Sequence, residues 1–162
     1  MREWRSQTSH AVPRMRNDIW RSKATKDLDC LSEKRIKRIL RDFLTSEGWN
    51  PEIAFDSRDL VDVEARRGSE QWIIEVKGLE SLEPLHPAIV NSFVSVLGEI
   101  LQRMNDSKCK YSVALPDIEP FRRLWERVPA LAKDRTGITA LFVRPTGEVI
   151  EVTETVSSSR WQ

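Results

Sequence analysis

The sequence has few of the residues that staple small domains together. It contains two cysteines, Cys30 and Cys109, and two histidines, His10 and His86, in 162 residues. Neither pair has the close spacing of a structural zinc site, and each histidine is isolated, which is more typical of a surface residue than of a base. Unpaired, widely separated thiols are typical of a reducing compartment, so we expect a cytoplasmic protein with two ordinary buried thiols.

Long hydrophobic runs are also missing. No apolar stretch approaches the ~18 residues that a membrane span needs, so we expect no integral membrane segment and no membrane partner. The first 20 residues are rich in arginine and lack an apolar core, so no secretory signal peptide is visible. No internal repeat or low-complexity tract occurs. With these classes of protein set aside, we expect a globular domain.

The charge is balanced overall but unevenly distributed. Hydrophobic residues make up 40% and charged residues 31% of the chain, with 26 basic against 25 acidic side chains. Residues 1–28 hold seven basic and three acidic residues, and the remainder holds 19 and 22. We therefore divide the chain into a flexible basic arm (1–28), one folded domain (29–152) and a frayed tail (153–162). The arm either contacts a polyanion or is a solvated leader.

The first predicted element is an amphipathic helix over residues 31–47, with Asp29 as its N-cap. Its opposite face is basic and includes Lys37. Glu33 is unusual because helical spacing places it on the apolar face. That apolar face is formed by Ile36, Ile39, Leu40, Phe43 and Leu44.

The remaining elements alternate between strand and helix patterns. Strands are predicted at 49–56, 59–66, 71–77, 110–115, 138–143 and 148–152, and helices at 87–105 and 119–128, with a possible extra turn at 131–134. The arginines of the last helix, Arg122, Arg123 and Arg127, either contact phosphates or form a solvated face. An early meander followed by crossover units predicts an α/β fold whose mixed sheet has helices on both faces.

The second and third strands predict a cluster of charged side chains. Gly68 and Ser69 fit a two-residue hairpin loop, and in that register the numbers of opposed residues add to 137. Asp62 then lies opposite Glu75, with Cβ atoms ~4.5–5.5 Å apart. Lys77 projects from the same face as Glu75, because side chains alternate along a strand. Two carboxylates and one ammonium group should therefore lie together.

Two carboxylates that close favour a cation between them. Mg²⁺ prefers carboxylate oxygens, and Lys77 could steady a water nucleophile or the charge that develops on a phosphate. Glu33 is placed to reach the same pocket. The structural alternatives are a solvated Glu–Lys pair on an exposed strand face for the strand residues, and a carboxylate stabilised by the helix dipole for Glu33.

Asp62, the hairpin, Trp72-Ile73-Ile74 and then Glu75-Val76-Lys77 together resemble the PD-(D/E)XK nuclease superfamily, including its Holliday-junction-resolvase and Mrr-like relatives. The resemblance implies a restriction-endonuclease-like αβββαβ core, and covers roughly residues 29–152. It implies that Asp62, Glu75 and the Val76 carbonyl bind Mg²⁺ (or Mn²⁺), that Lys77 assists the attacking water, and that Glu33 completes the site. Val61 stands where the family motif often has proline. Some relatives carry a glutamine on the next helix, a role open here to Glu99 or Gln102.

The resemblance implies a Mg²⁺-dependent endodeoxyribonuclease, with defence and repair among the roles open to it. Cutting both strands would need two sites, so a homodimer or a partner subunit is expected. The alternative is a non-catalytic DNA-binding or protein-interaction module with the same fold. RNA as the substrate is a further alternative, because the active-site chemistry would be the same.

Overall fold

The computed structural model describes residues 31–56, 61–79 and 86–153. Within these ranges the helices are α1 (Glu33–Ser46), α2 (His86–Arg103), α3 (Glu119–Glu126) and α4 (Ala130–Thr136). The strands are β1 (Asn50–Ile53), β2 (Val63–Arg67), β3 (Glu70–Val76), β4 (Lys110–Pro116), β5 (Thr139–Val143) and β6 (Val149–Val152). The expected α/β class and αβββαβ order are confirmed. The predicted arm, and the tail beyond residue 153, lie outside the described residues.

All six strands form one mixed sheet in the order β1-β2-β3-β4-β5-β6. The pairs β3–β4 and β4–β5 are parallel, and the other neighbours are antiparallel. The predicted hairpin register is confirmed, with Arg67 opposite Glu70 and Val63 opposite Ile74. Gly68 has φ +60°, a backbone conformation that glycine adopts without steric cost at this loop position.

Helices cover both faces of the sheet, as predicted. Consecutive residues of β3 face opposite ways, so Ile74 packs under α1 while Ile73 packs under α2 and α3. The apolar stripe of α1 is buried in the core that contains Ile74, through Ile36, Ile39, Leu40 and Leu44. Burial of this stripe rather than helix propensity is what fixes α1 on the sheet.

Two local predictions were wrong. The N-cap of α1 is Ser32, whose Oγ accepts a hydrogen bond from Arg35 N at 3.4 Å, whereas Asp29 lies outside the described residues. Cys109 is half-buried rather than buried, and its thiol donates to Gln71 Oε1 at 3.3 Å. Among the described residues, no helix is both long and apolar enough to span a bilayer.

Candidate functional site: an acidic pair between two helices

The carboxylates of Asp62 and Glu75 lie together where β2 begins and β3 ends. Glu75 is in the β3 ladder, and Asp62 directly precedes the first paired residue of β2, so the hairpin register places them opposite each other. The Asp62 carboxyl group is close enough to help raise the pKa of the Glu75 carboxyl group. Asp62 Oδ2 also accepts a hydrogen bond from Val76 N at 2.8 Å. The juxtaposition that the sequence predicted is therefore present.

Glu75 is a buried acid. Its side chain is only 4% exposed, which removes the water that would stabilise its charge. Burial raises the pKa of Glu75 to about 7, although the hydrogen bond from Arg103 opposes that rise, and the neighbouring Asp62 adds to it. Near neutral pH this carboxyl group is therefore partly protonated, which is unusual for a glutamate.

Lys77 projects toward α2, where its Nζ lies 3.2 Å from Glu99 Oε1. Glu99 also accepts a hydrogen bond from Ser95 Oγ at 2.7 Å, so the carboxylate is held from its own helix. Between the two residues proposed for this position, Glu99 contacts the lysine, and Gln102 is exposed. About a quarter of the Lys77 side chain remains accessible, so solvent or a substrate can reach it.

α2 and β3 match in spacing as well as in charge. Glu99 and Arg103 are four residues apart on the helix, a rise of about 6 Å, and Lys77 and Glu75 are two residues apart on the strand, a similar rise. Arg103 Nε donates to Glu75 Oε1 at 2.9 Å, while Glu99 meets Lys77. The result is two neighbouring ion pairs along one side of the site.

Lys37 reaches the site from α1, and the sequence analysis placed it wrongly. It was assigned to the solvated basic face, but its side chain is only 4% exposed. Its Nζ lies 2.7 Å from Asp62 Oδ1 and 2.8 Å from Glu33 Oε1, and it donates to Ala54 O at 2.8 Å. Burial alone would lower the pKa of Lys37, but its hydrogen bonds to Asp62 and Glu33 outweigh burial and raise it.

Lys37 links Glu33 to Asp62 of the acidic pair. The Glu33 side chain is 27% exposed and forms an ion pair with Lys37. Close packing sets its position, because a Cβ on Gly78 would lie 2.6 Å from the carbonyl carbon of Ser32. Leu79 N also donates to Leu31 O at 3.0 Å. The glycine after Lys77 therefore lets the start of α1 approach the end of β3.

Sequence reasoning missed two site residues, Lys37 and Arg103. Each follows a predicted site glutamate by four residues, Glu33 and Glu99 respectively, which is the spacing of neighbours on one helix face. This four-residue spacing was the signal in the sequence that could have identified both residues. The three arginines considered as phosphate contacts lie elsewhere, on or just after α3, and Arg122 and Arg123 pair with Asp117 and Glu119.

The donor set fits one hard divalent cation. Asp62 and Glu75 offer neighbouring carboxylate oxygens, and a carboxylate oxygen that accepts one hydrogen bond keeps a lone pair for a second partner. Among residues 31–56, 61–79 and 86–153, no three side chains of His, Cys, Asp or Glu form a metal-ligand group. A cation here would therefore depend on the two acids, the main chain and water.

Comparisons with known proteins give structural likenesses only. No protein-family model matches the sequence, and no curated protein matches it. An XisH family protein from Nostoc punctiforme PCC 73102 is 14% identical, with a TM-score of 0.41 over 73% of this chain and 98% of that one. An FdxN element excision controlling factor protein from Anabaena variabilis is also 14% identical, with a TM-score of 0.40 over 71% and 95%. Neither value assigns an activity, so function has to be argued from this chain's own side chains.

Proposed function

We propose that this protein is a Mg²⁺-dependent nuclease that hydrolyses phosphodiester bonds in DNA. The observation that carries the proposal is the opposed pair Asp62 and Glu75, with Lys77 two residues after Glu75, just beyond the end of β3. A buried acid pair beside an accessible lysine is costly for stability, and such clusters of perturbed groups concentrate at functional sites.

Asp62, Glu75 and the Val76 carbonyl would hold the ion. When bound, Mg²⁺ supplies Lewis acidity toward the phosphate oxygens and toward a water molecule. The chain's own groups do the rest. Asp62 is fixed by Lys37 and by Val76 N–H, Glu75 is fixed by Arg103, and the Lys77 ammonium orients the attacking water and offsets negative charge on the phosphate.

The reaction is an ordinary hydrolysis. A bond forms between the water oxygen and phosphorus while that water gives up a proton to solvent, one P–O ester bond breaks, and the departing sugar oxygen takes up a proton from solvent. Lys77 takes no covalent part in the step, and its Nζ lies 3.2 Å from Glu99 Oε1. No oxidant or further co-reactant is needed.

Cleavage of supercoiled plasmid with and without Mg²⁺ tests the proposal. We expect Lys77→Met, Asp62→Asn and Glu75→Gln each to lower the rate at least about a hundredfold, or roughly 2.7 kcal/mol in the activation free energy. Lys34→Met, on the exposed side of α1, is the matched control and should cleave like wild type. Cleavage that persists in all three site variants, or that is independent of divalent ions, would contradict the proposal.

RNA remains a substrate to compare, because none of these contacts selects a sugar. A single strand of RNA and one of DNA, matched in length and sequence, should be assayed side by side, and cleavage of RNA alone would contradict DNA as the substrate. We also propose that two copies cooperate to cut both strands. In that case nicked plasmid should accumulate at low protein concentration and linear plasmid at high concentration.

A second function, a non-catalytic DNA-binding or protein-interaction module, is favoured by one observation. The cations of Lys37 and Arg103 already pair with Asp62 and Glu75, so the acids are satisfied without an ion. In that case DNA would bind equally well in Mg²⁺ and in EDTA and would stay intact, and titration with Mn²⁺ would produce no heat.

A further inference from the structure

Lys37 lies between two carboxylates in the position that a bridging cation would take. Its Nζ is 2.8 Å from Glu33 Oε1 and 2.7 Å from Asp62 Oδ1. A third contact, 2.8 Å to Ala54 O, accounts for the last of the three ammonium hydrogens. The group is thus coordinated on all sides by oxygen atoms from α1, from the end of β1 and from the start of β2.

The two oxygens of Asp62 have different partners. Oδ1 meets Lys37 on the α1 side, and Oδ2 meets the Val76 N–H at the end of β3. Glu75, in contrast, is approached from α2 by Arg103. The space between Glu33 and Asp62 is therefore filled by an ammonium group, whereas the contact between Asp62 and Glu75 joins two acids.

We infer that Lys37 takes the place of a second divalent cation, so that each site binds one metal ion, between Asp62 and Glu75. The inference rests on the proposed function. It makes Glu33 a partner of Lys37 and a positioning residue, which departs from the ligand role implied by the family resemblance. Two-metal phosphodiesterase sites hold their ions ~3.5–4 Å apart. An ammonium group held between Glu33 and Asp62 fills the space that a second ion would need and repels a dication placed there.

The charges of the cluster agree with one ion. Among the residues that the structure describes, three carboxylates, on Glu33, Asp62 and Glu75, face the cations of Lys37 and Arg103. When all are ionised, one negative charge is in excess, and Lys77 with Glu99 adds none. One divalent ion offsets this negative charge, whereas a second would add two more positive charges next to a buried lysine.

Isothermal titration of the full chain with Mn²⁺ tests the inference. Wild type should bind one ion per chain. Lys37→Met removes the ammonium group from between Glu33 Oε1 and Asp62 Oδ1 and should bind two. Lys37→Met combined with Glu33→Gln should return to one, since the second pair of carboxylates is then broken. Mn²⁺ should also raise the melting temperature of Lys37→Met more than that of wild type.

The outcomes separate this inference from the proposed function. Wild type that binds no ion contradicts both, whereas wild type that binds two, or a folded Lys37→Met that still binds one, overturns only the inference. Lys37→Gln keeps an N–H donor for Asp62, so it serves as a second neutral variant if the methionine variant does not fold. If neither neutral variant folds, the wild-type stoichiometry decides.

Discussion

At the scale of single residues, burial of the acidic pair changes the pH at which Glu75 titrates. Glu75 has a pKa of about 7 because burial disfavours its charged form. A raised pKa in the folded state means that the fold prefers the protonated acid. Its stabilising contribution is full below the pKa of an unfolded glutamate, about 4.5, and is lost as the pH rises through about 7.

We therefore expect the metal-free protein to become less stable between pH 5 and about pH 7.5, and Glu75→Gln to reduce that decline because its amide does not ionise. Urea unfolding in EDTA at several pH values measures the effect. Glu75→Gln is the informative variant because the amide keeps the volume and a hydrogen-bond donor. Parallel pH profiles for variant and wild type would show that Glu75 does not titrate in this range.

Single residues are also where sequence reasoning fell short. The position of Asp62 opposite Glu75 follows from a two-residue loop and the period of a strand, and both are local rules. Lys37 could not be placed in this way, because its long stem lets the ammonium group leave the basic face of α1 and reach Asp62, which is 25 positions away. A helical pattern predicts the direction in which a Cβ points, but it does not predict where the end of a four-carbon side chain lies.

At the scale of elements, the site is assembled by the approach of α1 and α2 to the ends of β2 and β3. The order of elements and the hairpin register were predictable because apolar periodicity and turn residues encode them. The contact between the start of α1 and Gly78 was not, since it joins two segments through backbone packing that no local pattern records.

We expect Gly78→Ala to destabilise the protein by about 1–3 kcal/mol and to displace Glu33, because the added Cβ would overlap the backbone of α1. Gly98→Ala is the matched control. It lies within α2 with no atom within 4 Å of the added Cβ, so it should stabilise by about 0.5–1 kcal/mol. Urea unfolding gives both values. Equal effects at the two positions would refute the close approach.

The contact between Lys77 and Glu99 gives a second test at this scale. Glu99→Gln should lower the cleavage rate about tenfold, or 1.36 kcal/mol, because Lys77 is then less well oriented. It should change stability by less than about 1 kcal/mol, since the pair is partly exposed. Gln102→Ala on the exposed face should leave the rate unchanged. The reverse ranking of the two variants would assign the supporting role to Gln102.

At the scale of the whole molecule, charge governs the encounter with nucleic acid. The chain has a net charge of only +1, with its basic excess in residues 1–28. If Lys and Arg contacts to phosphates provide most of the affinity, the logarithm of the association constant should fall linearly with the logarithm of salt concentration, by about 0.9 per phosphate contact on duplex DNA.

Fluorescence anisotropy of a labelled duplex in EDTA, which prevents Mg²⁺-dependent cleavage, measures this slope. Replacing Arg14 and Arg16 by glutamine should make the slope less negative if the basic arm contacts phosphates. Glu75→Gln should not make it less negative, because that variant removes no cation. An unchanged slope in the double arginine variant would indicate a solvated leader.

The most direct test of the central claim is a crystal structure of the full chain grown with Mn²⁺, in which anomalous scattering locates the ion. We predict one strong anomalous peak between the carboxylates of Asp62 and Glu75, with Lys37 still in contact with Asp62. The absence of a peak at this pair under saturating Mn²⁺, with ions bound only elsewhere on the chain, would contradict the account.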